Sequence, residues 1–404
     1  MTDLEDVWRE EWGRLLALLV AQFRRLDLAE EGLGDAFASA ADRWRSDGAP
    51  DNPAAWLLTA ARRRIYDRLR SEAIARHKLP LLQVDAALRE EARTVMADAG
   101  EVVVDERLRL VLLCAHPSLP PEHAAALTLR LVLGVSTADI ARLFLVPTAT
   151  MAARLTRARK ALADQRFEVP SGAELEARVA TVADVAYLAF TSGYAPGSGD
   201  DLVRSDLAGE AIRLVRVLRS VLPAGFAGAG DLDALLALML IQHSRRDARL
   251  QDGRLVLLPD QDRSRWRHDE IAEALSLLTP LAAAPSTPYL LQALIAAEHA
   301  IAPTASATDW PRIARWYAEL ERLTGSPVVR LNRAVAVAEA DGPEAGLRLL
   351  DGLELPGHRL PAARAELLTR AGRTDEAAAA YELAIGLCGN DVERAHLVQR
   401  RDRM

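Results

Sequence analysis

Ser136-Thr137-Ala138-Asp139-Ile140-Ala141-Arg142-Leu143-Phe144-Leu145-Val146-Pro147-Thr148-Ala149-Thr150-Met151 is the stretch whose reading decides the fold, and Ala152-Ala153-Arg154-Leu155-Thr156-Arg157-Ala158-Arg159-Lys160 continues it. Ile140, Ala141 and Phe144 recur at helical spacing and give a short helix one apolar face. Val146-Pro147 interrupts it, because proline lacks the amide donor and biases its predecessor away from the helix. Thr148 is placed to cap a second helix, in which Met151 and Leu155 face inward while Arg154, Arg157 and Lys160 share the outer side. Two short helices joined this way, the second with a basic outer face, form a helix-turn-helix whose second helix enters the major groove of DNA. The plain alternative is an ordinary helical hairpin with a basic face.

The rest of the chain sets bounds on that reading. Its 404 residues suffice for two to four domains with ample core. A formal charge of −7 excludes a global positive field that would carry the protein onto DNA. Nucleic-acid affinity therefore has to come from local basic faces or from a partner. The two cysteines, Cys114 and Cys388, are too far apart in sequence to form a motif, so a reduced compartment without a disulfide framework is expected. The amino terminus, Met1-Thr2-Asp3-Leu4-Glu5-Asp6, is acidic where a signal peptide would be basic. Charges break every apolar run before it reaches spanning length. A cytoplasmic protein with no membrane partner is the expectation.

Nearly every periodic segment reads as helix, which predicts an all-α chain. The exception is Arg254-Leu255-Val256-Leu257-Leu258, a strand or a buried loop. The organisation expected is a first block over residues 1–78, a charged linker over 79–104 and a second block over 105–166 that ends in the helix-turn-helix. Beyond Val169-Pro170-Ser171-Gly172 come a helical extension over 171–300 and a repetitive tail over 301–404. Leu175, Val179, Val182, Ala186 and Ala189 make one apolar stripe; Leu207, Ala211, Leu214 and Leu218 make another. In the tail, Asn332–Leu353 and Ala363–Leu387 each read as helix, glycine-containing turn and helix, with Ala345 and Ala377 at the crossing points about one tetratricopeptide period apart. An ordinary helical bundle is the alternative.

Charge is unevenly spread over the first block. Glu30, Glu31, Asp35 and Asp42 cluster early, whereas Arg62, Arg63, Arg64, Arg68, Arg70, Arg76 and Lys78 follow with only Asp67 and Glu72 among them. Separating the two signs onto different helices suits two partners, a basic protein surface and a phosphate backbone. These residues carry a resemblance. Leu28-Ala29-Glu30-Glu31-Gly32-Leu33-Gly34-Asp35-Ala36-Phe37, Asn52-Pro53-Ala54-Ala55-Trp56-Leu57-Leu58-Thr59-Ala60-Ala61 and Asp67-Arg68-Leu69-Arg70 resemble region 2 of bacterial sigma factors. Leu119-Pro120-Pro121-Glu122-His123 through Leu162 resembles region 4. The close packing of these two regions alone is similar to the extracytoplasmic-function (ECF) group. The remainder, including Gly193-Tyr194, Gln261-Asp262-Arg263-Ser264 and Leu331-Asn332-Arg333-Ala334-Val335-Ala336-Val337, resembles the helical, tetratricopeptide-like extension of one ECF subgroup.

The resemblance implies a non-enzymatic protein, without catalytic residues, metal or cofactor, that binds core RNA polymerase and directs promoter-specific initiation under control in cis by its extension. Glu30, Glu31, Asp35 and Phe37 are then the residues that dock on the beta-prime coiled coil, and region 4 meets the beta flap. Asn52, Trp56, Arg62, Arg63, Arg64, Arg68 and Arg70 face the minus-ten element. Thr148, Thr150, Met151, Arg154, Arg157 and Lys160 face the minus-thirty-five element. A regulatory protein or ligand on the extension is a further implied partner. The family commonly has Asp where this chain has Glu31, Gln where it has Gly34 and Asn where it has Arg63. A glycine inside a helix costs about 1 kcal/mol against alanine, and an arginine in place of an amide exchanges base reading for a phosphate contact.

Three other readings were open. The polar run Asp260, Gln261, Asp262, Arg263, Arg265, His268, Asp269 and Glu270 has the composition of an acid–base or metal site. Structural hydrogen bonding at a turn, with Asp269 capping Ile271–Leu278, explains it without chemistry. Cys114-Ala115-His116-Pro117 offers one thiol and one imidazole, a poor metal site, and reads as a helix end. The third is a polymerase-independent regulator using its repeats as a sensor; it leaves the first block unexplained.

Overall fold

The computed structural model describes residues 4–75, 100–144, 146–162, 165, 167–194, 205–251 and 254–404. The linker expected over 79–104, together with Arg76 and Lys78, lies almost entirely outside them. Among the described residues the chain is all-α apart from one two-residue antiparallel ladder. It divides into two compact units, residues 1–189 with 213–228 and residues 190–212 with 229–404.

The first unit begins with three helices, α1 (Leu4–Phe23), α2 (Leu26–Asp47) and α3 (Pro53–Ala75). Trp12, Leu15, Leu16, Leu19, Leu33, Leu57, Leu58 and Ile65 fill their core. Trp8 stacks on Trp12 at 4.2 Å between ring centroids, and Phe37 closes the cluster edge-on to Trp8 at 4.6 Å. Gly32 lets α2 approach α3, since a Cβ there would stand 2.6 Å from Ile65 Cγ1 and 3.1 Å from Ala61 O.

Among the described residues, four more helices of this unit are α4 (Gly100–Cys114), α5 (Pro121–Leu131), α6 (Thr137–Leu143) and α7 (Thr148–Leu162). Pro121 opens α5 at a position where its missing N–H has no helical partner to lose. The turn after α5 places Gly134 at φ +73°, where a Cβ would meet Trp8 Nε1 at 2.7 Å and Trp12 Cγ at 2.9 Å. Only glycine combines that backbone with that closeness. Trp8 Nε1 donates to Gly134 O at 3.0 Å, and a Cβ on Gly13 would collide with Val132 O. Helix α1 thus packs backbone-close on the turn leading into α6. Of α8 (Ala173–Tyr194), Val179, Val182, Ala186 and Ala189 of the predicted stripe are buried and Leu175 is half-buried; of α9 (Ser205–Val221), Ala211, Leu214 and Leu218 are buried.

The second unit is built around α10 (Ala229–Ser244), whose Leu232 and Ala234 through Ile241 are all buried, as befits a helix apolar on every side. Two-residue strands Leu250–Gln251 and Arg254–Leu255 pair antiparallel, so the ambiguous apolar run is a strand only in its first two residues. Then come α11 (His268–Leu278), α12 (Pro288–Ile301), α13 (Trp310–Thr324), α14 (Pro327–Asp341), α15 (Pro343–Leu350), α16 (Arg359–Arg370), α17 (Thr374–Leu387) and α18 (Asp391–Arg401). Helix α11 starts before Asp269, which lies in its first turn and favours the positive end of the helix by charge rather than by capping. Helices α14 and α15 form one hairpin through Gly342, and α16 and α17 another through Gly372. The crossing residue of the first is Gly346 rather than Ala345: a Cβ on it would stand 2.6 Å from Ala334 O, while Ala345 is half-buried. Ala377, in the second, is fully buried.

Candidate nucleic-acid interface

The helix-turn-helix is α6, the Val146-Pro147 break and α7. Ser136 caps α6: its Oγ accepts the Asp139 amide at 3.1 Å, which satisfies one first-turn donor, and donates to the Asp139 carboxylate at 2.6 Å. Helix α7 already includes Thr148, and the Met151 amide donates to Pro147 O at 3.1 Å, so Thr148 stands in the first turn, not at the cap. Met151, Leu155, Ala158 and Leu162 are buried one turn apart and seat the helix. Thr148, Thr150, Arg157 and Lys160 are exposed on the remaining faces, and Arg154 is half-buried beside Glu122, to which its guanidinium donates at 3.2 Å. Among the described residues Arg157 and Lys160 make no ion pair.

Arg159, between them, is committed inward. Its Nε and Nη2 donate to Glu30 Oε2 at 2.9 and 2.6 Å, and Arg130 on α5 donates to the other oxygen at 2.7 Å. Glu30 is only 8% exposed, so one buried carboxylate on α2 joins α5 and α7. Arg130 also lies over the Trp12 ring at 5.5 Å. A cleft of about 710 Å³ opens beside this junction, lined by Arg24, Arg25, Arg109, Arg159 and Lys160.

On α2 and α3 the expected residues divide. Glu31 and Asp35 are on the surface, and both hold Arg68, Asp35 at 3.4 Å. Phe37 and Arg62 are buried, at 3% and 6% exposure. With Glu30 and Met151 they lie below the surface, and in this arrangement they support their neighbours rather than face a partner. Arg63, Arg64 and Arg70 are exposed. Asn52 caps α3, its Oδ1 accepting the Ala55 amide at 3.0 Å. Trp56 is half-buried and meets Trp44 edge-on at 5.6 Å, a packing position from which one edge still reaches solvent. A Cβ on Gly34 would meet nothing within 4 Å.

The other candidate clusters are held by ordinary contacts. Asp262 accepts from Ser264 N at 3.0 Å and Ser264 Oγ at 2.7 Å, which holds its carboxyl below the usual range. Arg263 lies over Trp266 at 4.5 Å and donates to His299 O at 2.6 Å; Arg246 pairs with Glu270 at 2.9 Å. Burial pushes the Cys114 thiol up, and His116 accepts from the Ser118 amide at 3.2 Å in the turn after α4.

Comparison with known proteins fits this geometry. Residues 109–162, from within α4 to the end of α7, match the family described as Sigma-70, region 4. The segment is a sigma-70 region 4. Residues 178–282 match a family of unknown function, DUF6596. An uncharacterised protein of Rhizobium meliloti (strain 1021) is 40% identical over 401 residues, covering 96% of this chain and 93% of its own length, and the chain belongs to one family with it. No solved structure matches. Within region 4, the residue that sequence reasoning missed is Arg159: its spacing puts it beside the basic row, and nothing local reveals that its partner is Glu30, 129 positions away. No helix among the described residues is long and apolar enough to cross a membrane.

Proposed function

We propose that this chain is a sigma factor of the extracytoplasmic-function type that binds core RNA polymerase and directs promoter-specific initiation. The observation that carries the reading is α7: a helix seated by Met151 and Leu155 within a region 4, presenting Thr148, Thr150, Arg157 and Lys160 to a major groove, with Arg154 at their edge. Glu31 and Asp35 meet the beta-prime coiled coil, region 4 meets the beta flap, and Asn52, Trp56, Arg63, Arg64, Arg68 and Arg70 lie along the minus-ten element. Glu30, Phe37, Arg62 and Met151 serve those surfaces from beneath.

Control in cis by the residues beyond region 4 is the second part of the reading. Residues 173–189 and 213–228 belong to the same compact unit as the docking and recognition helices, which supports it. The tail acts as a tetratricopeptide-like module that receives a regulatory protein or ligand.

Core binding tests the first part. Full-length protein carrying Glu31→Lys and Asp35→Lys should associate with core polymerase more slowly and more weakly, because opposite potentials set encounter rate and register. Its affinity for promoter DNA should stay the same, and a melting curve checks that both proteins are folded. Equal binding of core by the two proteins would remove the docking surface, and DNA-dependent regulation without polymerase would then explain region 4.

A further inference from the structure

Far from region 4 in sequence, the α16–α17 hairpin and the helix that follows it gather three side chains with metal-ligating atoms. His358 sits at the start of α16, Cys388 directly follows α17 and Glu393 lies in the first turn of α18. His358 Nε2 and Glu393 Oε2 are 3.1 Å apart, and Cys388 Sγ lies within 4.8 Å of both. We propose that these three residues form a binding site for one divalent cation of the zinc class.

The donor set decides the class of ion. A thiolate and an imidazole select a borderline ion such as Zn²⁺, since Ca²⁺ and Mg²⁺ take oxygen ligands. Thiolate and carboxylate together neutralise a charge of +2. With metal–ligand bonds of about 2.0–2.3 Å, tetrahedral ligand atoms stand roughly 3.3–3.8 Å apart. The imidazole–carboxylate pair is already near that spacing, and the sulfur closes on it by about an ångström through side-chain rotation.

The surroundings are built to hold the ligands. Asn390, buried, accepts the Glu393 amide at 3.0 Å on its Oδ1 and the Cys388 S–H at 3.4 Å on its main-chain oxygen. It therefore fixes both acidic ligands through one turn. Arg394 ties the same turn by donating twice to Cys388 O, at 3.1 and 2.6 Å. Cys388 is 3% exposed, whereas His358 and Glu393 face a cavity of about 320 Å³ that Asn332, Arg359 and His396 also line. Three protein ligands beside such a cavity leave a fourth position for water or a small anion. A bound ion links the starts of α16 and α18 to the end of α17, which clamps the last helix onto the α16–α17 hairpin. The proposal does not depend on the sigma reading.

Cobalt(II) titration of the full-length, chelator-stripped protein tests it. One equivalent should bind, with a thiolate-to-cobalt charge-transfer absorption and the intense visible bands of tetrahedral cobalt, and Zn²⁺ but not excess Mg²⁺ should displace it. Cys388→Ser should abolish the charge-transfer band, while Cys114→Ala keeps it. His358→Gln and Glu393→Gln should each weaken affinity by at least the roughly 10–100-fold that loss of a group merely hydrogen-bonded to a ligand costs. Circular dichroism confirms that each variant is folded. Should Cys388→Ser fail that check, Glu393→Gln, at a half-exposed position, decides alone. Absence of a saturable band, its persistence in Cys388→Ser, or unchanged affinity in Glu393→Gln would overturn the site.

Discussion

Helices α3 and α7 carry the two dense runs of positive charge in the first unit, and the fold uses them differently. Arg159 of α7 is tied to a carboxylate that is 9% exposed at its side chain; Arg68 of α3 is tied to Glu31 and Asp35, which are 56% and 47% exposed. The first pair is part of the core that joins α2, α5 and α7. The second lies in solvent, where an ion pair contributes little and exchanges readily for another partner. A count of arginines therefore overstates the charge offered to DNA. On α7 it is Arg157 and Lys160 that remain, and on α3 it is Arg63, Arg64 and Arg70, while Arg68 is held by Glu31 and Asp35.

Removing Glu30 should have the largest effect on stability. Glu30→Ala leaves the half-buried Arg130 and Arg159 without their shared carboxylate; breaking one side of a fully buried pair costs about 3–5 kcal/mol, which is the upper bound here. Denaturant unfolding of the full-length protein should show that loss in the transition of the first unit. A loss under about 1 kcal/mol would place this carboxylate in the same class as the exposed pair, and the contrast between the helices would fail.

Two glycines on α2 sharpen the comparison from the helix between. Gly32→Ala should destabilise by about 1–3 kcal/mol, because its Cβ has to displace Ile65 against the Ala61 carbonyl. Gly34→Ala, two residues along and in open space, should stabilise by about 1 kcal/mol through helix propensity. Thermal melts of the two variants should move in opposite directions. The smallest effect belongs to Arg68→Ala, expected to change stability by less than about 1 kcal/mol. A larger loss in chemical unfolding would show that the α2–α3 pair is structural after all.

Much of this fold can be read locally. The spacing of Ile140, Ala141, Met151 and Leu155 specifies two short helices, and Pro147 specifies where they part, because helix periodicity and proline geometry are short-range properties. Ser136 could have been read as a cap from Asp139 three residues later. Thr148 misled because the chain already enters helix at that residue. Ala345 misled because the closer approach, to Ala334 O, falls on its neighbour Gly346. The contacts that give the first unit its character were not legible. Glu30 meets Arg159 across 129 positions and Trp8 meets Gly134 across 126, and no local pattern encodes such distances. His358, Cys388 and Glu393 were invisible for the same reason.

In the proposed function, Arg157 and Lys160 read or hold promoter DNA only as part of a polymerase that this chain directs. Transcription in vitro, with core polymerase and a promoter library, tests it most directly. The wild-type chain should confer initiation at a defined promoter set. Arg157→Ala with Lys160→Ala should abolish or redistribute that initiation, at a cost of about 1–3 kcal/mol at one position for a base contact or about one unit of salt slope for each phosphate contact. Initiation that does not depend on the chain, or that the double variant supports at the wild-type rate and sites, would contradict the account.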